Sequence, residues 1–340
     1  MASLSEGDRI TNMWTVLKKL GEGGCGTVFE VENNEDNCKY AMKVEPTSIR
    51  RRDQLLKTEA FILKKMQFSK YVPSYLAFDR TSDFRFLVME LLGNSLHDYI
   101  HSLPNKRVSV STTLRVGLLA LEAIIDMHKI FFVHRDIKPA NFAFGLGDHS
   151  RRMYLIDFGM SRSILNPPDK LRKRRATGRV LFRGTTLYCS PNMHMKKEQG
   201  RHDDLWALLY MCTEMITGRL PWSRRGRPNA AVLKVGISGK ELFQGCPKKF
   251  EVLLEYYRSL SYEDRPDYDG VKDIFKNCMK ARQIDDDDPF DWELGHVNVS
   301  KHPIKQKAIH SSESIDSSSR TCDDIATGTD DSLSLEVSSR

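Results

Sequence analysis

With 340 residues, 40% of them hydrophobic and 29% charged, the chain has enough material for one large core or two smaller ones and the balance of a soluble globular protein. Its net charge of +7 points towards acidic partners or substrates, without singling out nucleic acid. The seven cysteines form neither a CxxC pair nor a zinc-like His/Cys spacing, so they read as reduced thiols of an intracellular protein.

In chain order, "MASLSEGDR" lacks the basic start and apolar stretch of a secretory signal. The next stretches alternate as strands do: "WTVLKKL", "TVFEVEN", "KYAMKVE", "SYLAF" and "FRFLVMEL". One helical segment interrupts them, "RDQLLKTEAFILKKMQ", with apolar residues at helical spacing. After Gly93 the pattern turns helical, beginning with "STTLRVGLLALEAIIDMHK", for which Ser111 or Thr112 is the expected cap. Its apolar centre, from Val116, is too short to span a bilayer and carries Glu122, so no membrane segment is expected. Further helices are predicted over "DDLWALLYMCTEMITG", ending at Gly218, over "KKFEVLLEYYRSL" and over "YDGVKDIFKNCMKARQ". From about Leu294 the chain becomes rich in Ser, Asp and Thr and poor in large apolar groups, the composition of a disordered tail. The expected fold is therefore α+β and bilobal: an N-terminal extension over 1–13, a β-rich lobe over 14–92, a helical lobe over 93–293, and a tail over 294–340.

Chemistry enters at "GEGGCGTV", where Gly21, Glu22, Gly23, Gly24, Cys25, Gly26 and Val28 lie between two predicted strands. A glycine-rich turn here lets backbone amides close over phosphates, although a flexible hairpin gives the same letters. A dinucleotide-binding loop would instead open a helix. Lys43, on the next strand beside Ala41, presents an ammonium to phosphate oxygens, or else is a solvated strand lysine. Glu59, within the following helix, is placed to pair with Lys43 or to remain a surface carboxylate. Then comes "HRDIKPANFAFG" from His134, and "YLIDFG" ending at Gly159. Taken singly, His134 is a packed imidazole, Arg135 a surface ion pair and Asp157 a turn former. As a set they surround a magnesium-bound nucleoside triphosphate: Asp136 accepts a hydroxyl proton, Lys138 neutralises developing charge, and Asn141 with Asp157 holds metal ions.

In this order the parts resemble those of the protein kinases, from about Trp14 to Glu293. Lys138 stands where serine/threonine kinases carry lysine. Finer features are similar to the casein-kinase-1 group: "YCSPNMH" replaces the usual Ala-Pro-Glu motif, and "LVMELLGNSL", "GRHDDLWALLYMCTEMITGRLPW" and "YEDRPDY" follow the group pattern. "FRGT" (182–185), "GRHDDLW" (200–206) and "FDWE" (290–293) look most like the tau-tubulin kinase branch. The resemblance implies ATP and Mg2+ as cofactors, with Met89 behind the adenine pocket and Glu90, Leu91 and Leu92 as the hinge that meets the adenine edge. It also implies that Phe158 packs under the Glu59 helix, that Asp204 anchors the catalytic loop, and that Thr185 touches Asp136 and Lys138.

The implied reaction is transfer of the γ-phosphoryl group of ATP to Ser or Thr of a protein, with acidic substrates favoured, by a monomer of the cytoplasm that neither binds nucleic acid nor enters a membrane. The alternative is an inactive kinase-fold scaffold, and a sugar or small-molecule kinase is a third reading. Ser161, Ser163 and Thr177 are available for phosphorylation in the activation segment, and Arg135 is of the type that meets such a phosphate. The basic run "DKLRKRRATGR" offers an acidic partner, the chain's own tail included, a place to bind, and Lys170–Arg175 reads as a nuclear import signal. One departure stands out. Relatives in the group carry Arg after Gly-Thr-x, where it helps hold a phosphate on the substrate; here the residue is Leu187, so weaker preference for pre-phosphorylated substrates is expected.

Overall fold

Alternation of apolar side chains in the first strands puts one face of a sheet into a core and leaves the other for chemistry. The computed structural model describes residues 4–23, 26–48, 54–166, 170–171 and 180–294. Six antiparallel strands, β1 (Arg9–Ile10), β2 (Trp14–Gly23), β3 (Gly26–Asn33), β4 (Lys39–Pro46), β5 (Tyr75–Arg80) and β6 (Phe84–Glu90), form a sheet of order β1-β2-β3-β4-β6-β5. Trp14, Val16, Phe29, Val31, Met42, Val44, Phe86 and Val88 bury one face. The period of two then sends Ala41, Lys43 and Glu45 to the opposite face, towards α1 (Leu56–Lys65) and the second lobe. No side chain of its own caps α1; instead Glu45 of β4 accepts the Leu55 and Leu56 amides at 2.7 and 3.1 Å. That bond ties the helix carrying Glu59 to the strand carrying Lys43.

The second lobe is helical. Its elements are α2 (Leu96–Ser102), α3 (Val110–Lys129), the short strands β7 (Phe132–Val133), β8 (Phe142–Phe144), β9 (Met153–Leu155) and β10 (Arg162–Ser163), a hairpin of β11 (Leu165–Asn166) and β12 (Lys170–Leu171), and α4 (Pro191–His194) to α9. The last five helices are α5 (Arg201–Thr217), α6 (Arg227–Gly236), α7 (Gly239–Leu242), α8 (Phe250–Ser259) and α9 (Tyr268–Lys280). Buried faces of α3, α5, α8 and α9 share one core. A Cβ on Gly117 of α3 would lie 2.5 Å from the Phe275 ring, so only glycine lets α3 and α9 approach this closely. Gly218 ends α5 in the left-handed region at φ 77°, as its type and place suggest.

Two details depart from expectation. Neither Ser111 nor Thr112 caps α3: Ser109 does, accepting the Thr112 amide at 3.1 Å, and the two expected caps lie in the first turn. The reason is distant in sequence, because Asp291 accepts from the Ser109 amide, the Ser109 hydroxyl and the Thr112 hydroxyl at 2.6, 2.7 and 2.9 Å. The second departure is the extra helices α2, α4, α6 and α7, which carry too few periodic apolar residues to announce themselves. "FDWE" is an anchor: Trp292 stacks on Tyr99 and Phe290, with centroids 4.8 and 5.0 Å apart, and Arg115 lies over Phe290. Among the described residues no helix is long and apolar enough to cross a membrane. Of the tail expected over 294–340, residues 295–340 lie outside the described residues.

Candidate active site

β2 and β3 form the expected hairpin, with Gly21 opposite Val28, Glu22 opposite Thr27 and Gly23 opposite Gly26. Gly24 and Cys25, at its tip, lie outside the described residues. Gly26 has φ +120°, and a Cβ there would sit 2.4 Å from the Val44 carbonyl oxygen, so the close approach of β3 to β4 requires glycine. Beneath the hairpin, Lys43 pairs with Glu59 at 2.6 Å and with Asp157 at 3.1 Å. Burial pushes Glu59 up to about 7, although Lys43 pulls it down. Burial also pushes Asp157 upward, but the Lys43 ammonium and its hydrogen bond, helped by His134 and Lys138, outweigh it and bring Asp157 to about 2. Asp157 therefore stays ionised, with its backbone left-handed at φ 63°.

The loop that carries Asp136 begins after β7, where the chain runs into strained backbone: Arg135 has φ 69°. Asp204, near the start of α5 and buried, holds this turn by accepting the His134 and Arg135 amides, each at 2.8 Å, and a bond from His128 Nε2 at 3.0 Å. Burial raises the Asp204 pKa, and the bonds and charges of its partners, His128 foremost, bring it below the usual carboxylate range. Asp136 follows. Its Oδ1 accepts from the Thr185 amide at 2.9 Å and the Thr185 hydroxyl at 2.8 Å, while Lys138 Nζ lies 2.7 Å from Oδ2 and 3.4 Å from the Thr185 hydroxyl. Asn141 Nδ2 donates to the Asp136 carbonyl at 2.8 Å. Phe158, buried, packs edge-on to His134 and lies in a short turn against α1.

These residues suit a nucleotide and its metal. Leu92, between β6 and the Gly93 amide bonded to Phe144, takes part in none of the loop backbone hydrogen bonds among the described residues, leaving its donor and acceptor for the edge of a base. Glu90 serves differently: its amide bonds Ser74, and its carboxylate takes the Ser74 amide at 3.0 Å and the Tyr154 hydroxyl at 3.1 Å. Met89 is half-buried opposite Ala41. With Asn141 Nδ2 engaged, its carbonyl oxygen and the ionised Asp157 supply the hard oxygen donors that Mg2+ takes.

The outer wall of the site follows Thr185. Gly184, at φ +90°, lies so close that a Cβ would meet the Arg135 carbonyl oxygen at 2.4 Å. Leu187 packs against the core, and its carbonyl accepts the Trp222 indole at 2.8 Å. Ser161, expected to be open to modification, is buried with its hydroxyl unpartnered, because the turn after Phe158 folds it inward; Ser163 is half-buried and bonded to Leu165. Thr177 and the basic residues 172–175 and 179 lie outside the described residues. Arg135 Nε donates to the Met160 carbonyl at 2.7 Å. Sequence reading missed His128 and Lys234, neither of which belongs to a local motif, and gave Gly184 of "FRGT" no role of its own.

Near this wall, His194 Nε2 lies 3.4 Å from Cys189 Sγ. Burial lowers the His194 pKa to about 4, assisted by Lys234 and Arg227. The unfolded chain takes up this proton near pH 6.5, before the folded one, so stability is lost as pH falls from 6.5 towards 4. Discounted for partial exposure, melting should fall about 2–4 °C further between pH 7 and pH 5 in the wild type than in His194→Gln. Parallel melting curves for the two proteins would remove His194 as the cause.

A two-lobed fold with a strand lysine, a helix glutamate and two loops of acidic and amide side chains at the junction is the architecture of a phosphoryl-transfer enzyme. The protein kinase domain family matches residues 14–282, and the chain belongs to that family. It is 35% identical over 291 residues to a probable serine/threonine-protein kinase of Dictyostelium discoideum, covering 85% of this chain and 58% of that one. A putative serine/threonine-protein kinase of Caenorhabditis elegans is 37% identical, with 89% of this chain and 88% of the relative covered. The serine/threonine-protein kinase spe-6 of the same worm is 29% identical, over 87% of this chain and 78% of its own.

Proposed function

We propose that the protein transfers the γ-phosphoryl group of ATP to serine or threonine of protein substrates, and that it favours acidic ones. The observation that carries this is the Asp136 carboxylate, aimed by Thr185 and Lys138 and held on a loop facing the Lys43–Asp157 pair. Asp136 takes the proton of the acceptor hydroxyl as it attacks phosphorus. Lys138 and Lys43 stabilise charge on the transferring oxygens, and Thr185 keeps the base in its place. Asn141 and Asp157 would hold Mg2+, which would supply neutralisation of phosphate charge. The reaction is mostly positioning, so the rigid hydrogen bonding of this loop is itself the catalytic asset.

The kinase domain runs over 14–293 in this reading, closed by the "FDWE" anchor. Its branch is that of the tau-tubulin kinases within the casein-kinase-1 group, supported by "YCSPNMH", "FRGT" and "GRHDDLW". The basic side chains Arg183, Arg224, Arg225 and Arg227 near the substrate wall support the acidic preference as a diffuse field. Leu187, half-buried and without a donor, offers substrate phosphate no fixed pocket. A cytoplasmic monomer, able to enter the nucleus, fits this reading.

Casein incubated with the protein, labelled ATP and Mg2+ should become labelled on phosphoserine and phosphothreonine, and EDTA should abolish the label. An acidic peptide should outperform its neutral counterpart, with the gap narrowing as salt rises. Label confined to tyrosine, or none with Mg2+ present, refutes the assignment.

A further inference from the structure

The turn from Thr185 to Cys189 cannot satisfy its own carbonyls. Thr185 O accepts the Tyr188 and Cys189 amides at 3.0 and 2.9 Å, but from within the turn Thr186 O gains only the weak Cys189 thiol at 3.6 Å, and the carbonyls of Leu187 and Cys189 need donors from elsewhere. Leu187 O finds the Trp222 indole. Thr186 O and Cys189 O both accept from a single ammonium, Lys234 Nζ, at 2.6 Å each, reaching in from α6. Lys234 is 1% exposed, an uncommon fate for a lysine, and its ammonium lies 5.2 Å from the Trp222 ring centre and 5.3 Å from that of Tyr210. No carboxylate pairs with it among the described residues; its direct partners are carbonyl dipoles, the rings and Cys189 Sγ at 3.7 Å. Burial lowers its pKa to about 8, opposed by Cys189, so at neutral pH it carries its charge.

An isolated buried cation is costly unless several dipoles compensate it, and here they all belong to one turn. The same turn begins at Thr185, whose amide and hydroxyl hold the Asp136 carboxylate. Tyr188 fastens its far side through a hydrogen bond to Glu214 of α5. We infer that Lys234 is a positioning residue for the protein acceptor: it clamps the Thr186–Cys189 turn so that the substrate chain meets a rigid wall beside Asp136. The ammonium is thereby spent inside the protein, and anion recognition at this wall falls to the exposed arginines. The inference rests on the kinase reading for its substrate, but the clamp itself is a property of the fold.

Lys234→Met keeps an unbranched side chain of similar length and removes all three donors. It should lower kcat/KM for an acceptor peptide about tenfold or more while leaving the KM for ATP within about twofold. Hydrogen exchange of the Tyr188 and Cys189 amides should quicken about tenfold, with the His134 and Arg135 amides unaffected. Trp222→Phe, which removes the bond to Leu187 and shrinks the ring beside the Lys234 ammonium, should shift both readouts in the same direction by about threefold, and it keeps the test open if Lys234→Met does not fold. Unchanged exchange in the turn, or ATP and peptide parameters declining together, overturns the clamp. A wild type that transfers no phosphate sinks the kinase reading instead, and the exchange measurement still decides the clamp.

Discussion

Lys43→Met should lower phosphoryl transfer by about 10²–10³-fold, the usual cost of one preorganised charge at a reacting centre, while the protein stays folded. The contrast between those two effects is what tests the site. Breaking a buried ion pair commonly costs about 3–5 kcal/mol, because the surviving charge is stranded. Here the survivor is Glu59, whose pKa already stands at about 7 with Lys43 present. Without the ammonium, Glu59 takes up a proton at neutral pH and the stranded charge disappears. The stability loss should shrink to about 1–2 kcal/mol, or roughly 2–6 °C of melting temperature. Asp157 meanwhile loses its 3.1 Å partner, so its orientation loosens where the metal would be held. Initial rates on casein, with melting curves for the same preparations, check both halves. A rate within about threefold of wild type would place the lysine outside the chemistry, and a large melting shift would make it structural.

Local residues carried most of what was legible. The spacing of Asp136, Lys138 and Asn141 within one loop, and of Asp157 after the β8–β9 hairpin, survives translation into three dimensions because a short hairpin leaves little freedom. Lys43 was legible for a different reason. A strand alternates, and with Met42 and Val44 in the outer core, Lys43 must face the other way. What stayed hidden was held by partners far along the chain. The α3 cap depends on Asp291, 182 residues beyond Ser109, and Lys234 meets Thr186 across 48 positions. No periodicity marks such a lysine, since α6 also carries exposed Val232 and Val235 and reads as an ordinary surface helix. Gly184 was legible as a letter of a motif, but the reason for it, the Arg135 carbonyl at 2.4 Å from its absent Cβ, is purely tertiary.

Asp204→Ala should be the most damaging single change away from the reacting groups, and its arithmetic follows from three donors. The His134 and Arg135 amides and the His128 ring would each lose their acceptor in a buried place, where an unmet donor costs about 1–3 kcal/mol. Three such donors sum to about 3–9 kcal/mol, and release of the strain at Arg135, held at φ 69°, offsets part of this, so a loss of about 3–5 kcal/mol is expected, or roughly 10 °C of melting temperature. Activity should suffer more than stability. Asp136, the proposed base, follows Arg135 directly, and its displacement by even about 1 Å as that strained turn relaxes should cost about 10²-fold in rate. Asp204→Asn sharpens the test. Its amide nitrogen must take the place of one carboxylate oxygen, and at either position it would face a backbone N–H, from His134 or from Arg135. His128 can adapt by changing tautomer while the Tyr268 hydroxyl, 2.8 Å from Nδ1, reverses between donor and acceptor, but a backbone amide cannot. Asparagine should therefore behave like alanine in rate and only partly recover stability. Should Asp204→Asn retain wild-type turnover, the two amides do not need the carboxylate and the catalytic loop is held by something else.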